Sequence, residues 1–259
     1  MSHDLLTADA VNEGAVLNER EIMRRLVKRD LVITPLLDPK RQIGPTSLDI
    51  RLGFEFDVFN ITKQTHLDPL KTRVELIRDV VAYTTKVHVG PMQRFVLHPG
   101  EFALAATLEY FILPADLAGR LEGRSTWGRL GIQVHSTAGF VDPGFEGILT
   151  FELQNMGKGP LILFPGVRIA QICFFHSSET AIPYTKKIGA KYHKKLSSAG
   201  SLFHEDPEFD AIRRYHARKS VAAPRKDTAA AGSDWLKRLV LFKMRRRPLD
   251  KLHAKPTAE

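Results

Sequence analysis

Three Pro-Gly pairs, Pro99-Gly100, Pro143-Gly144 and Pro165-Gly166, constrain this chain more than any other feature. Proline presets φ near −65° and glycine tolerates positive φ, so each pair suits the two central positions of a type II turn. Around them lie short apolar runs of strand length: Val87-His88-Val89, Phe95 to Leu97, Phe102 to Leu108, Gly119 to Leu121, Ile132 to His135 and Leu149 to Leu153. Short strands and turn signals, continued from residue 31 to about 180, predict an all-β domain of sandwich or barrel type. No internal repeat, P-loop or dinucleotide-type glycine fingerprint interrupts the pattern.

The flanks read differently. Residues 1–17 have no strong period and read as a loose arm. A helix is predicted next, with Asn18 as N-cap, Glu21 at capping-box spacing, and Ile22, Leu26 and Val27 on one face. It ends near Asp30, where LVITPL turns extended and Pro35 breaks the period. Beyond Ser178 the chain becomes basic and rich in small residues (KKIGAKYHKKLSSAGSLFHEDPE), as a mobile segment would be. A short helix is expected over Asp210 to Lys219 and an Ala/Pro/Gly linker over Val221 to Ser233. In a second helical stretch, WLKRLVLFKMRRR from Trp235 to Arg247, the residues Trp235, Leu239 and Phe242 share a face.

Composition narrows the function classes. The 259 residues are 43% apolar and 26% charged, enough for a real core. No apolar run approaches the roughly 20 residues of a spanning helix, and MSHDLLTADA lacks the layout of a secretory signal, so a soluble, cytoplasmic protein is expected. A single cysteine, Cys173, excludes an intramolecular disulfide and any zinc site built on two thiolates. The net charge of +9 suggests nucleic-acid binding until it is divided. Arg213 to Glu259 holds 14 Lys and Arg against 4 Asp and Glu, a net +10, and the residues before it hold 24 against 25, or −1. The basic tail reads as a solvated extension or, through its Trp/Leu/Phe stripe and RRR, as a weak contact for nucleic acid or an anionic surface.

Candidate chemistry concentrates between Glu122 and Asn155. GRSTWGRLG (123–131) offers backbone N–H groups, Ser125, Thr126, Arg124 and Arg129 to phosphate oxygens, or is a glycine-rich β-turn with surface arginines. Alternation in LTFELQ places Leu149, Phe151 and Leu153 on the core face and Thr150, Glu152 and Gln154 on the other. There Glu152 is either solvated or, under a covering loop, a desolvated carboxylate able to take and return a proton. TAGFVDPGFEG (137–147) reads as a hairpin in which Asp142 meets a sugar hydroxyl, orients a water or caps the turn. Phe140 and Phe145 read as core residues, His135 as a satisfied structural histidine, and Asp49 as half of a strand-face ion pair.

Taken together, PTSLDIRLG (45–53), HPGEFALAATLEY (98–110), GRSTWGRLG, HSTAGFVDPGFEGILTFELQN (135–155), PGVRIAQICF (165–174) and PY…AKY (183–192) resemble the dCTP deaminase branch of the trimeric dUTPase superfamily. The resemblance runs from about Leu31 to Asp206. It implies a distorted, jelly-roll-like β-barrel with an N-terminal helix and a flexible basic C-terminal extension, assembled as a homotrimer with active sites between subunits. The chain then divides into an arm (1–17), a dCTP deaminase/dUTPase-like domain (18–206) and the extension (207–259).

By position, the resemblance implies that Arg124, Ser125, Thr126 and Arg129 hold the triphosphate and frame the base, Asp142 binds deoxyribose, and Phe145 disfavours a 2′-hydroxyl. It places Thr150, Phe151 and the catalytic Glu152 on one strand, and Tyr184 and Lys191 on a nucleotide-binding tail. Glu152 would deprotonate a water held by Ser125 and the Ala138 carbonyl, deliver hydroxide to cytosine C4, and return protons to N3 and to the leaving ammonia; Arg129 would organise the charge. No zinc is implied, and Mg²⁺ would arrive on the triphosphate. Gly139-Phe140 with Gln171 resembles the bifunctional members, which carry dCTP on to dUMP and diphosphate. The alternatives are release of dUTP or a nucleotide sensor without turnover. Lys195 stands where the family usually has glutamine, a mobile cation in place of an amide.

Overall fold

The computed structural model describes residues 15–60 and 66–221. The chain divides into two compact units, one formed by Met1–Leu67 with Arg73–Glu205 and the other by Asp68–Thr72 with Asp206–Glu259. The elements are α1 (Glu19–Lys28), β1 (Val32–Thr34), α2 (Pro39–Gln42), β2 (Leu48–Phe59), α3 (Arg73–Tyr83), β3 (Thr84–His88), β4 (Phe95–Leu97), β5 (Phe102–Ile112) and β6 (Leu117–Gly123). There follow α4 (Ser125–Gly128), β7 (Ile132–Gln133), β8 (Phe140–Val141), β9 (Glu146–Asn155), β10 (Leu161–Leu163), β11 (Arg168–His176) and α5 (Pro207–Val221).

Nine strands form one curled antiparallel sheet in the order β7-β9-β5-β2-β11-β6-β8, with β1 added on β5 and β3 on β2. The ribbon β10-β4 stands apart from it. All three Pro-Gly pairs close as expected: Gly100, Gly144 and Gly166 have φ of 77°, 75° and 88°. In each turn the residue after glycine donates to the residue before proline, Glu101 N to His98 O (3.0 Å), Phe145 N to Asp142 O (3.1 Å) and Val167 N to Phe164 O (3.3 Å).

These turns join β4 to β5, β8 to β9 and β10 to β11, and none of those pairs is hydrogen-bonded together. The hairpin expected around Pro143-Gly144 is therefore corrected: β8 pairs with β6, whereas β9 pairs with β5 and β7. Type II geometry splays its flanking strands, while tight hairpins need the mirror-image turns. The Pro-Gly pairs act as corners that pass the chain from one part of the sheet to another.

The core between these strands holds Leu48, Ile50, Leu52, Phe56, Phe111, Phe151 and Phe174, all fully buried. Helix α1 starts as expected, with Asn18 Oδ1 accepting from Glu21 N at 3.0 Å. Ile22 is buried and Leu26 packs on the core, but Val27 is exposed, because five residues along a helix fall off the stripe that three and four share. Arg25 is buried and reaches Asp30 (3.1 Å) and Asp116 (2.5 Å), tying α1 to the segment before β6.

The arm is also corrected at its end. Leu17 is buried and its N–H donates to Phe174 O, while Ala15 O accepts from His176 N, so Ala15 to Leu17 are held on β11. Helix α3 has no sequence expectation behind it; its Val74, Ile77 and Val81 face outward and only one edge touches the sheet's surroundings. In the second unit, α5 covers the expected Asp210–Lys219 helix, and Arg213 donates to the carbonyls of Pro69 and Lys71. The linker beyond Val221 and the Trp235–Arg247 stretch lie outside the described residues. No helix among the described residues is long and apolar enough to cross a membrane.

Candidate functional site

Strand β9 realises its alternation. Leu149, Phe151 and Leu153 are buried, and Ile148, Thr150 and Glu152 on the alternate positions line a cavity of about 510 Å³, which Leu149 also reaches. The register is set by a bulge in β5, where the β5–β9 pairing shifts between Ala106 and Tyr110. Thr107 mends the ladder there: its hydroxyl donates to Glu109 O (2.7 Å) and accepts from Leu149 N (3.0 Å). Leu104 then stands opposite Glu152 and Ala106 opposite Thr150.

The loop after β7 holds Glu152 on both sides. Its amide donates to Val134 O at 2.9 Å, and its carboxylate accepts from Ser136 N at 2.7 Å. A half-buried carboxylate fixed by a backbone N–H at the wall of a cavity is able to exchange a proton with whatever enters.

Around it the cavity is lined by His135, Ala138, Phe140, Asp142, Phe145, Tyr184, Tyr192 and Lys195. The Pro143-Gly144 corner sets Asp142 and Phe145 three residues apart. At Gly144 a Cβ would lie 2.3 Å from Pro183 Cβ, so the positive φ and the close approach both call for glycine. Tyr184 N donates to Pro143 O (2.9 Å), and the Tyr184 ring meets Phe145 at 5.7 Å. Lys187 Nζ lies 3.4 Å from Asp142 Oδ2, so Asp142 carries a charge partner rather than merely capping its turn.

Phe145 is buried as expected, but Phe140 is 65% exposed at the cavity's edge, a correction to its reading as core. Strand β8 is only two residues long, and its Val141 takes the core face, so Phe140 falls on the other. Gly139 has its own steric reason: a Cβ there would lie 3.0 Å from Leu121 O and 3.1 Å from the His135 ring. His135 is not the satisfied histidine expected. Its Nδ1 is buried without a hydrogen-bond partner among the described residues, and its Nε2 lies 3.8 Å from Glu122.

The remaining expected residues gather elsewhere on the chain. Arg124 leads into α4 with its Nε 3.2 Å from Asp49 Oδ1 and its NH1 donating to Arg168 O (2.9 Å); Trp127 Nε1 donates to the same carbonyl. Arg168 NH1 reaches Asp49 Oδ2 at 3.0 Å. The strand-face ion pair expected at Asp49 is present, with two arginines. Burial raises the Asp49 pKa above the ordinary aspartate range against the pull of those arginines.

Ser125, Thr126 and Arg129 are exposed on or beside α4 and do not line the cavity. Gln171 stands opposite Asp49 and Glu122 in the sheet and accepts from Ser47 Oγ. Lys191 lies on the segment that covers the cavity but is not part of its lining, and Phe151 can offer a ligand only its backbone. One chain thus carries two separate groups, a cavity around Glu152 and an arginine and hydroxyl surface on α4. Sequence reasoning passed over Ser136, Tyr192 and Arg168. Arg168 sits within PGVRIAQICF, and its partners Asp49 and Arg124 are visible only once β2, β6 and β11 are adjacent.

Residues 16–177 match the dCTP deaminase-like family. A protein named dCTP deaminase, dUMP-forming, from Dictyoglomus turgidum is 42% identical over 192 residues, which are 74% of this chain and 96% of the relative. One of the same name from Corynebacterium efficiens is 48% identical over 179 residues, 68% of this chain and 88% of the relative. Among solved structures, that of 2′-deoxycytidine 5′-triphosphate deaminase from Agrobacterium tumefaciens has a TM-score of 0.48 at 24% identity, spanning 63% of this chain and 47% of that one.

Proposed function

The chain belongs to the dCTP deaminase family, and from that premise we propose that it deaminates dCTP and carries the nucleotide on to dUMP and diphosphate, supplying the precursor for thymidylate synthesis. The observation that carries this reading is Glu152, fixed by Ser136 N at 2.7 Å at the wall of a cavity that also holds Asp142, Phe145 and Tyr184.

In the deamination step Glu152 takes a proton from a water held beside the Ala138 carbonyl, and the hydroxide adds to cytosine C4. The proton passes to N3, a further one to the exocyclic amine, and ammonia leaves as the C4 carbonyl forms. Water is consumed and ammonia released, with no change of oxidation state. Asp142 accepts from the deoxyribose hydroxyl, Phe145 closes the space a 2′-hydroxyl would need, and Tyr184 lies over the sugar. A second water then splits the bond between the α- and β-phosphates. Phe140 at the cavity edge and Gly139 before it mark the region we assign to this second step, with Gln171 joining it from the α4 side of a second copy, and Asp142 helps to activate its water.

The triphosphate, entering as its Mg²⁺ complex, needs cations, which among the described residues the cavity offers through Lys195 and the nearby Lys187 and Lys191. Arg124, Ser125, Thr126 and Arg129 are the matching surface, and in this reading they come from a second copy of the chain in a homotrimer of barrel-like subunits. The site would then be complete only between subunits, with Ser125 and Arg129 of one copy facing Glu152 of the next. The test is incubation of purified protein with Mg·dCTP, resolving ammonia, dUTP, dUMP and diphosphate. Ammonia and dUMP in equal amounts are expected; accumulating dUTP would reduce the activity to deamination, and absence of ammonia would refute the reading.

A further inference from the structure

Asp57 and Lys86 face each other across the β2–β3 ladder. Lys86 Nζ makes two contacts, 3.1 Å to Asp57 Oδ1 and 2.9 Å to the carbonyl oxygen of Ser198. Asp57 and Ser198 are each only 2% exposed, and among the described residues Asp57 Oδ2 and Ser198 Oγ have no hydrogen-bond partner. A buried carboxylate with one oxygen left unpaired is costly and calls for an explanation. Here the charge holds Lys86, and Lys86 holds a distant part of the chain, 112 residues further on.

That part is a strap. From Tyr184 to Phe203 the chain crosses the cavity, lining it with Tyr184, Tyr192, Lys195, Gly200, Ser201 and Phe203. Its first half is fastened along β9 and the corner before it: Tyr184 N to Pro143 O, Lys194 N to Glu146 O (2.8 Å) and Ile148 N to Lys195 O (3.1 Å). Past Lys195 the strap has little regular structure, and Leu202 N returns to Tyr192 OH within the strap itself. Lys86 meets this second half at Ser198, from outside the residues assigned to binding or chemistry.

We propose that Lys86, held in place by Asp57, is a positioning residue that latches the 196–203 part of the strap over the nucleotide cavity. The ammonium, with three donors, engages one oxygen of a buried carboxylate and a strap carbonyl at once, so removing the ammonium or the carboxylate frees the strap without touching Glu152 or the α4 surface. The consequence for turnover rests on the proposed function, whereas the latch itself does not.

The experiment uses full-length protein and the variants Lys86→Met, Lys86→Arg and Asp57→Asn. Hydrogen exchange is followed at residues 196–203 without nucleotide, and kcat and KM are measured with Mg·dCTP. Lys86→Met and Asp57→Asn should each speed exchange at 196–203 and raise KM by about fivefold, the upper worth of a charged contact made by a lysine that is 59% exposed. Exchange in β9 and kcat should stay within about twofold of the parent, and Lys86→Arg should restore both readouts. Unchanged exchange at 196–203 in both Lys86→Met and Asp57→Asn would overturn the latch, as would general loosening that arginine does not rescue. Should Lys86→Met not fold, Asp57→Asn and Lys86→Arg decide the same question. A parent protein that releases no ammonia refutes the proposed function and leaves the exchange comparison to judge the latch alone.

Discussion

Glu152 and Glu109 are two carboxylates on adjacent strands with opposite surroundings, and each makes a prediction of its own. Glu152 faces the cavity and accepts from Ser136 N. Glu152→Gln keeps that acceptor and removes the proton exchange, so kcat for ammonia release should fall by roughly 10²–10⁴. KM should change little. Parent-like turnover in that variant would remove Glu152 from the chemistry.

Glu109 is fully buried, accepting from Arg51 N at 2.8 Å and from Gln42 Nε2 at 3.2 Å, with Arg51 NH1 at 3.5 Å. Burial raises its pKa above the ordinary glutamate range, more than Arg51 lowers it. The folded state therefore keeps a proton that the unfolded chain has already released, and stability falls as pH rises from the ordinary glutamate value through the raised one. Asp49 is shifted in the same sense by burial, and Glu21 in the opposite sense by its hydrogen bond from Arg24. Urea midpoints measured between pH 4 and pH 7 should drop less steeply in Glu109→Gln than in the parent. Parallel curves would show that Glu109 titrates alike in both states.

At the scale of elements, the corners decide where the site residues sit. The Pro143-Gly144 turn carries Asp142 and Phe145 and receives the start of the strap at Pro183. Gly144→Ala places a side chain at φ +75° and a Cβ against Pro183. A cost of about 1–2 kcal/mol in unfolding free energy is expected from the backbone alone, together with a raised KM for dCTP as the strap lifts. An unchanged KM would separate the corner from the strap.

The three type II turns and the β9 alternation are legible in the sequence because each depends on residues within a few positions of one another. The pairing of β8 with β6 is not, since a Pro-Gly turn reads alike whether it closes a hairpin or a corner. Helix α3 was missed for a related reason. Leu76 is buried and Val80 half-buried, but Val74, Ile77 and Val81 are exposed, so its apolar residues do not mark a single core face. Lys86 opposite Asp57, and Arg124 beside Arg168, depend on strand order across more than a hundred residues, which no local pattern carries.

At the scale of the whole molecule, the charge of the chain is divided as its parts are. The residues before Arg213 are close to neutral, so in the proposed function an anionic substrate would be met by a few local cations, and the net +10 lies in the tail. The larger division is within the catalytic body. Glu152 lines the cavity whereas Arg124, Ser125, Thr126 and Arg129 lie on or beside α4 outside it, a separation that 30 residues of sequence holding both groups do not carry. If copies of the chain unite the two groups, inactive partners can repair each other. Glu152→Gln lacks the proton acceptor but keeps the α4 surface, and Arg129→Ala lacks the α4 cation but keeps the cavity. Co-expressed at equal levels and purified as mixed oligomers, they should form whole sites at about a quarter of positions by random assortment, with ammonia release recovering to about that fraction of the parent. Mixed oligomers no more active than the two variants assayed separately would contradict a site shared between subunits.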